Sequence, residues 1–351
     1  MSEFVFGTHN AAFVQAMYED YLRDPSSVGP EWRELFDNGK LAELPIIQGA
    51  GSREQGAVTA PASPAPAPSA PAPPAPRSLL PAPGAVPITG PAARLVANMT
   101  DSLSVPTATS FRDINATTLD ARRKALNAQL AASGKRVSFT HLIGYAIVQA
   151  AKRFPVMTHA FQEIDGKPHR VDPGATGLGL AVDVEKKDGS RALVVPVIKH
   201  AETMDFSTFH GAYETLVEKA RTNRLMPDDF AGGTMQLTNP GTLGTVASVP
   251  RLMKGQGSII ATGTIRDIAG AKLITITSTY DHRIIQGAES GMFLRHLDSL
   301  LQGEERFYEG VTESLAGTGL GARDSGLGSA TESTAPIPQA PVPTQIGRAH
   351  V

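Results

Sequence analysis

Residues 88–308 are predicted to form a mixed α/β domain, on two observations. Segments of helical period and short β-branched segments interleave along this stretch, and the composition changes abruptly on both sides of it. The chain has 351 residues, enough for one or two folded units.

The first 40 residues predict two short helices. Phe13, Met17 and Tyr21 recur at helical spacing with Val14, Tyr18 and Leu22 beside them, making one apolar stripe. Asp24-Pro25-Ser26-Ser27 ends that helix. Pro30 opens a second one carrying Trp32, Leu35 and Phe36, with Gly39 as its stop. Two such short helices need a partner surface. Residues 41–87 are dominated by Ala and Pro, which favour extended polyproline geometry and read as a linker without a core, either a spacer or a proline-motif ligand.

Within the domain, Ser138 or Thr140 is placed to cap a helix bearing Leu142, Ile143, Ala146, Ile147 and Ala150, ending at Phe154-Pro155. Residues 177–184 and 192–198 read as strands of a hairpin around Lys187-Asp188-Gly189. Asp205 or Ser207 starts a helix that turns Phe209, Tyr213, Leu216 and Ala220 inward. Further strands are expected at 233–237, 258–263 and 272–279. Residues 309–351 are rich in Gly, Ser, Thr, Ala and Pro and predict a disordered tail. Its last six residues, IGRAHV, match one reading frame of a common sequencing adapter, so the natural chain is expected to continue.

Several classes of function fall away early. The 32 basic and 34 acidic residues form no block of one sign, which argues against nucleic acid or an anionic membrane as partner. There is no cysteine, hence no disulfide, thiolate metal site or cysteine nucleophile. No pair among the nine histidines has metal-ligand spacing with a carboxylate on one face. The N-terminus has no basic leader followed by an apolar run, and a cytoplasmic location is expected.

The chemistry concentrates in Tyr280-Asp281-His282-Arg283-Ile284-Ile285-Gln286-Gly287-Ala288. A histidine at a strand end beside a turn can present its imidazole in a cleft, and its ordinary pKa of about 6.5 suits a general base. Taken alone, a histidine between Asp and Arg reads more readily as structural. Thr238, in Thr-Asn-Pro-Gly, reads equally as turn chemistry with Asn239 and Gly241 tolerating positive φ.

Residues 280–288 resemble the active-site signature of the dihydrolipoyl acyltransferases, the E2 components of 2-oxo-acid dehydrogenase complexes. Three further segments match in the same order: Val137 to Pro155, Leu193 to Ile198, and Asp228 to Gly241. The resemblance implies a two-layer, chloramphenicol acetyltransferase-like mixed sheet with helices. It implies His282 as catalytic base, Thr238 as donor to the oxyanion, and Asp281, Arg283, Gln286 and Gly287 as the supporting loop. It also implies coenzyme A as a substrate and a homotrimer in which histidine and hydroxyl meet between subunits.

One departure is visible. The family places Asp, or Asn, four residues after the histidine, where this chain has Gln286, a neutral amide able to hydrogen-bond in its stead. The reading DHRIIQGAESG, the N-terminal helices and the Pro/Ala linker resemble the fused 2-oxoglutarate dehydrogenases of actinobacteria. That resemblance implies succinyl transfer, an E1 domain in cis with thiamine diphosphate and Mg, and dihydrolipoamide dehydrogenase as partner. No Asp-Lys-Ala lipoylation turn precedes the linker, so the lipoyl group is expected on another E2 protein. Two alternatives stay open: an acyltransferase fold kept as a non-catalytic assembly core, or a stand-alone acyltransferase of another acyl donor. For a succinyl carboxylate, Lys199, His200 and Arg251 are the cations within reach of the argument, each equally a surface residue.

Overall fold

The computed structural model describes residues 11–37, 86–88, 90–185 and 191–317. The expected linker, the Lys187-Asp188-Gly189 turn, Gly39 and the end of the tail lie outside them, apart from residues 86–88.

The centre of the fold is a seven-stranded mixed sheet. Its strands are β1 (Thr107–Asn115), β4 (Leu178–Leu180), β7 (Val197–Ile198), β8 (Met235–Thr238), β9 (Ser258–Thr262), β10 (Arg266–Ile268) and β11 (Ala271–Asp281). They lie in the order β1-β11-β9-β8-β4-β7, with β10 also beside β11. The pairs β8–β9 and β4–β8 are parallel; the others are antiparallel. Two hairpins stand apart: β2 (Ala160–Ile164) with β3 (Lys167–Val171), and β5 (Val182–Glu185) with β6 (Arg191–Val194). The sequence reading ran β4 into β5 and β6 into β7. Each pair is divided between two sheets, the second at Pro196, which has no N–H to continue a ladder. β1 and the β2–β3 hairpin, with few apolar residues, gave no sequence signal.

Alternation along β11 sorts its side chains. Ile274, Ile276 and Tyr280 join the main core, while Thr275, Thr277 and Thr279 face the other side. The core face packs on α4 (Thr117–Leu130), α5 (Phe139–Arg153) and α7 (Gly287–Gln302), through residues such as Leu119, Leu142, Phe293 and Leu297. On the other face Thr277 donates to the Ser248 carbonyl at 2.6 Å, tying down the chain that follows β8.

Ser138, not Thr140, caps α5. Its Oγ accepts from His141 N–H at 3.1 Å while His141 Nδ1 accepts from Ser138 N–H at 3.2 Å, a reciprocal capping box with histidine in the glutamate place. Likewise Asp205 caps α6 (Phe206–Arg221), accepting from Thr208 N–H at 2.8 Å. The last helix, α8 (Phe307–Gly317), extends past the domain end expected at 308. Tyr308, Val311 and Leu315 are buried against the body, so residues 309–317 belong to the fold and not to a tail.

The N-terminal helices α1 (Ala11–Arg23) and α2 (Pro30–Asp37) find their partner surface on this domain, with α1 also against α3 (Gly90–Ser102). Val14, Met17, Trp32, Leu35 and Phe36 are buried as expected, whereas Leu22 points outward. Trp32 Nε1 donates to the Leu225 carbonyl at 3.0 Å, and Phe13 sits 5.3 Å from the Phe230 ring. Among the described residues no helix is long and apolar enough to cross a membrane.

Two expectations follow. Trp32 is the single tryptophan, so its emission reports the docking of α1 and α2. Phe13→Ala should weaken that docking by about 2 kcal/mol and give a red shift in Trp32 emission before the main unfolding transition, followed by fluorescence during a urea titration. The second concerns pH. Burial, helped by the facing His210 ring, pulls the His141 imidazole down to about 3 from 6.5. The unfolded chain therefore takes up a proton below 6.5 that the folded one refuses. Stability should fall as pH drops below that value, by up to about 1.4 kcal/mol per pH unit. His141→Gln keeps the capping acceptor without the titration, and its unfolding free energy should vary less between about pH 6 and pH 4.

Candidate active site

β11 carries the chain into the site with pairing on both edges. Asp281 N–H donates to the Gly257 carbonyl at 3.1 Å on one side, and His282 N–H donates to the Pro106 carbonyl at 2.9 Å on the other. Gly257 permits this closeness: a Cβ there would lie 2.5 Å and 2.6 Å from the Met157 and His159 carbonyl oxygens. The chain then turns tightly, with Ile284 and Ile285 N–H both donating to the Asp281 carbonyl. Gln286 is the N-cap of α7, its N–H donating to the Glu289 carboxylate at 2.7 Å, and Gly287 opens the helix.

Asp281 and Arg283 shape this turn. The Asp281 side chain is 3% exposed, and a carboxylate so buried needs a counter-charge. Arg283 supplies one bidentately, with Nε at 2.8 Å and Nη2 at 2.6 Å, while Arg283 N–H adds a third bond at 3.1 Å. The guanidinium also lies over the Phe161 ring, 3.7 Å from its centroid.

His282 is exposed and oriented by a single bond. Its Nδ1 is 3.0 Å from the Ile285 carbonyl oxygen. A carbonyl only accepts, so the ring proton sits on Nδ1 and Nε2 keeps its lone pair. The Tyr280 ring stands edge-on at 5.6 Å. The imidazole is thus held in the tautomer of a general base.

Thr238 is elsewhere in the same subunit. It ends β8 opposite Ala261, which lies opposite Thr277. His282 is five residues beyond Thr277, about 17 Å along the strand, with two strand spacings, about 10 Å, across. One protomer does not bring the two together. After Thr238, Asn239 Nδ2 donates to Thr140 Oγ1 at 2.8 Å. The turn differs from the expected one: Asn239 has φ −125°, and Gly244 carries the positive φ of 87°. Gly241 is required for space, since a Cβ there would lie 2.2 Å from the Gly263 carbonyl carbon.

The other polar residues sort as follows. Lys199 pairs with Asp228 at 2.5 Å, His200 lies 3.9 Å from Glu202, and Arg251 is exposed. The structure also gathers His141, His210 and Glu214, with ligand-capable atoms within 4.8 Å of one another. Sequence spacing missed this group because its histidines come from different helices. Its hydrogen bonds describe a helix cap better than a metal site. His141 Nδ1 accepts from Ser138, so its Nε2 bears the proton and donates to Glu214 at 2.9 Å, while His210 Nε2 donates to the Arg136 carbonyl.

Comparison with known proteins agrees with this geometry. The profile of the 2-oxoacid dehydrogenases acyltransferase (catalytic domain) matches residues 81–308, and that of the 2-oxoglutarate dehydrogenase N-terminus matches residues 2–40. A multifunctional 2-oxoglutarate metabolism enzyme of Mycolicibacterium vanbaalenii is 44% identical over 356 residues, which is 87% of this chain but 29% of that protein. The cubic core of a pyruvate dehydrogenase multienzyme complex superposes with TM-score 0.56 at 24% identity, covering 68% of this chain and 98% of the other. A dihydrolipoamide acetyltransferase of Azotobacter vinelandii gives 0.53 at 24%, over 60% and 88%. These likenesses establish the fold, and the profile spans well over half of the sequence. The chain belongs to the 2-oxoacid dehydrogenase acyltransferase family.

Proposed function

We propose that this chain is the dihydrolipoamide succinyltransferase part of a 2-oxoglutarate dehydrogenase, working in the tricarboxylic acid cycle of the cytoplasm. The observation that carries the reading is the His282 Nδ1 bond to the Ile285 carbonyl, which leaves Nε2 bare on an exposed ring. Nε2 takes the proton of the coenzyme A thiol. For the free groups in water, moving a proton from a thiol to an imidazole is uphill by about 2.7 kcal/mol, a small part of an ordinary barrier. The thiolate attacks the succinyl thioester, and the hydroxyl of Thr238 donates to the resulting oxyanion. Collapse expels the dihydrolipoamide thiolate, which recovers the proton from His282. Both sulfurs come from the substrates, in keeping with a chain without cysteine.

The distance between Thr238 and His282 within a protomer supports a working site shared between subunits, and the reading takes the assembly to be a homotrimer. The Azotobacter relative, in which a serine, a histidine and an asparagine have roles in catalysis, offers an analogous hydroxyl, imidazole and carboxamide. Here these would be Thr238, His282 and Gln286. The succinyl donor is inferred from the 2-oxoglutarate relative, of which the chain spans 29%. The same proposal includes a lipoyl domain borrowed from another E2 protein, dihydrolipoamide dehydrogenase, and an E1 domain in cis with its thiamine diphosphate and Mg. Lys199 already pairs with Asp228, so it is not assigned to the succinyl carboxylate. Assaying succinyl, acetyl and isobutyryl dihydrolipoamide side by side separates this reading from a stand-alone enzyme of another donor.

His282→Ala should abolish coenzyme A-dependent transfer from succinyl-dihydrolipoamide. Turnover at the wild-type rate would remove His282 as the base, whereas a wild-type chain that neither turns over nor binds coenzyme A would favour the non-catalytic assembly core. Thr238→Ala should lower kcat by about 100- to 1,000-fold through loss of the oxyanion donor. If the two residues meet between subunits, co-refolding the two variants should restore activity to about a quarter of wild type, since that fraction of interfaces regains both side chains. Mixtures no more active than their components would overturn the pairing of Thr238 with His282 between subunits.

A further inference from the structure

We propose that Phe161 is a positioning residue for acyl transfer: its ring holds the Arg283 guanidinium, and through it the Asp281 carboxylate, in the arrangement that aims His282. The inference rests on the reading of His282 as the base.

The argument begins with a buried charge. Asp281 is almost wholly enclosed, and its neutralising partner Arg283 is 29% exposed, so one side of the ion pair is open to water. A guanidinium on the outer side of a fork can swing away into solvent, where it is well hydrated. Phe161 covers the flat face of that group at 3.7 Å, where the negative face of an aromatic ring attracts a cation. The stack removes the alternative position and leaves the fork closed.

Phe161 comes from the β2–β3 hairpin, which is otherwise a polar element with Gln162, Glu163 and Ile164 exposed. Three contacts fix its base. Ser258 Oγ donates to the Met157 carbonyl at 2.7 Å, Gly257 lets the carbonyls of Met157 and His159 approach, and His159 Nε2 lies 3.5 Å from Asp172 across the pair. Gly257 is also the residue whose carbonyl accepts from Asp281 N–H. The contacts therefore close a ring: Gly257 to the hairpin base, hairpin to Phe161, Phe161 to Arg283, Arg283 to Asp281, and Asp281 back to Gly257. His282 follows Asp281 directly. A slack link anywhere in the ring lets the turn from 281 to 285 relax, and with it the Nδ1 bond that sets the imidazole.

The substrate does not meet Phe161 in this account, so the variant should change turnover more than binding. Phe161→Leu keeps an apolar side chain but removes the π face. Its kcat should fall by about fivefold to tenfold, with KM for coenzyme A within about twofold, and Phe161→Tyr should restore kcat. In an Arg283→Gln background, which keeps a donor for Asp281 but places no cation over the ring, adding Phe161→Leu should cost less than about twofold more, because the link is already cut. Should Phe161→Leu not fold, Phe161→Met serves as the second unstacked variant. Wild-type kcat in a folded unstacked variant, or an equal loss with and without Arg283, overturns the proposal. His282→Ala is run alongside. If it is inactive while Phe161→Leu is not impaired, the ring fails and the base reading stands. If it is fully active, the base reading fails and the ring with it.

Discussion

The histidine proposed as base needs a backbone that cannot drift, and β11 meets that need by being hydrogen-bonded on both edges up to His282. The strand is the longest in the sheet, with β1 along one side and β9 with β10 along the other. Its Ile274, Ile276 and Tyr280 are locked into the main core. Displacing His282 therefore means breaking sheet pairing or unpacking the centre of the domain, each far more costly than the single bond that orients the imidazole. The turn that follows adds a second restraint. Two amides converge on one carbonyl, and the side chains of Asp281 and Arg283 close over it. The imidazole needs only Ile285 to choose its tautomer because the main chain has already fixed its place.

The same sheet imposes a limit. Strand β8 runs parallel to β9 and delivers its last residue, Thr238, toward the far end of β11. No rotamer of a threonine spans the gap to His282. The proposed site therefore needs its two halves, which one protomer keeps apart, to be joined by a symmetry-related copy. Exposed apolar groups lie at the Thr238 end of the sheet, with Phe111 on β1 paired to Thr277 and Leu243, Val246 and Val249 after β8.

The parts of this architecture that were legible in the sequence share a physical feature: a signal contained within a few consecutive residues. The caps at Ser138 and Asp205, the apolar faces of α5 and α6, and the alternation of β11 are local, and each appears at the expected place. The motif around His282 was legible as a cluster of residue types. What escaped depends on contacts distant in sequence. The division of two predicted strands between two sheets arises from partners, not from composition. The meeting of His141 with His210 joins two helices separated by a hairpin and several strands. Phe161 in a polar hairpin carried no pattern at all, and its relation to Arg283, 122 residues later, exists only once the chain is folded. Helix α8 was lost to composition, since its Gly, Ser and Thr content resembles the tail that follows while Tyr308, Val311 and Leu315 still make one buried face.

The departure at position 286 is best weighed by asking what that residue must hold. In the observed turn the shaping bonds come from the main chain, from the Asp281–Arg283 fork, and from Glu289, which accepts the Gln286 N–H. A carboxylate at 286 would add a second acidic group at the start of α7, where Glu289 already supplies the one that a helix N-terminus favours. A neutral amide avoids that crowding and still offers both a donor and an acceptor to a neighbouring group. The proton chemistry proposed here passes between Nε2 and sulfur and does not call on the side chain at 286. On physical grounds, then, Gln286 is compatible with a working base, and the burden of holding the turn falls on the ion pair and on the ring that covers it.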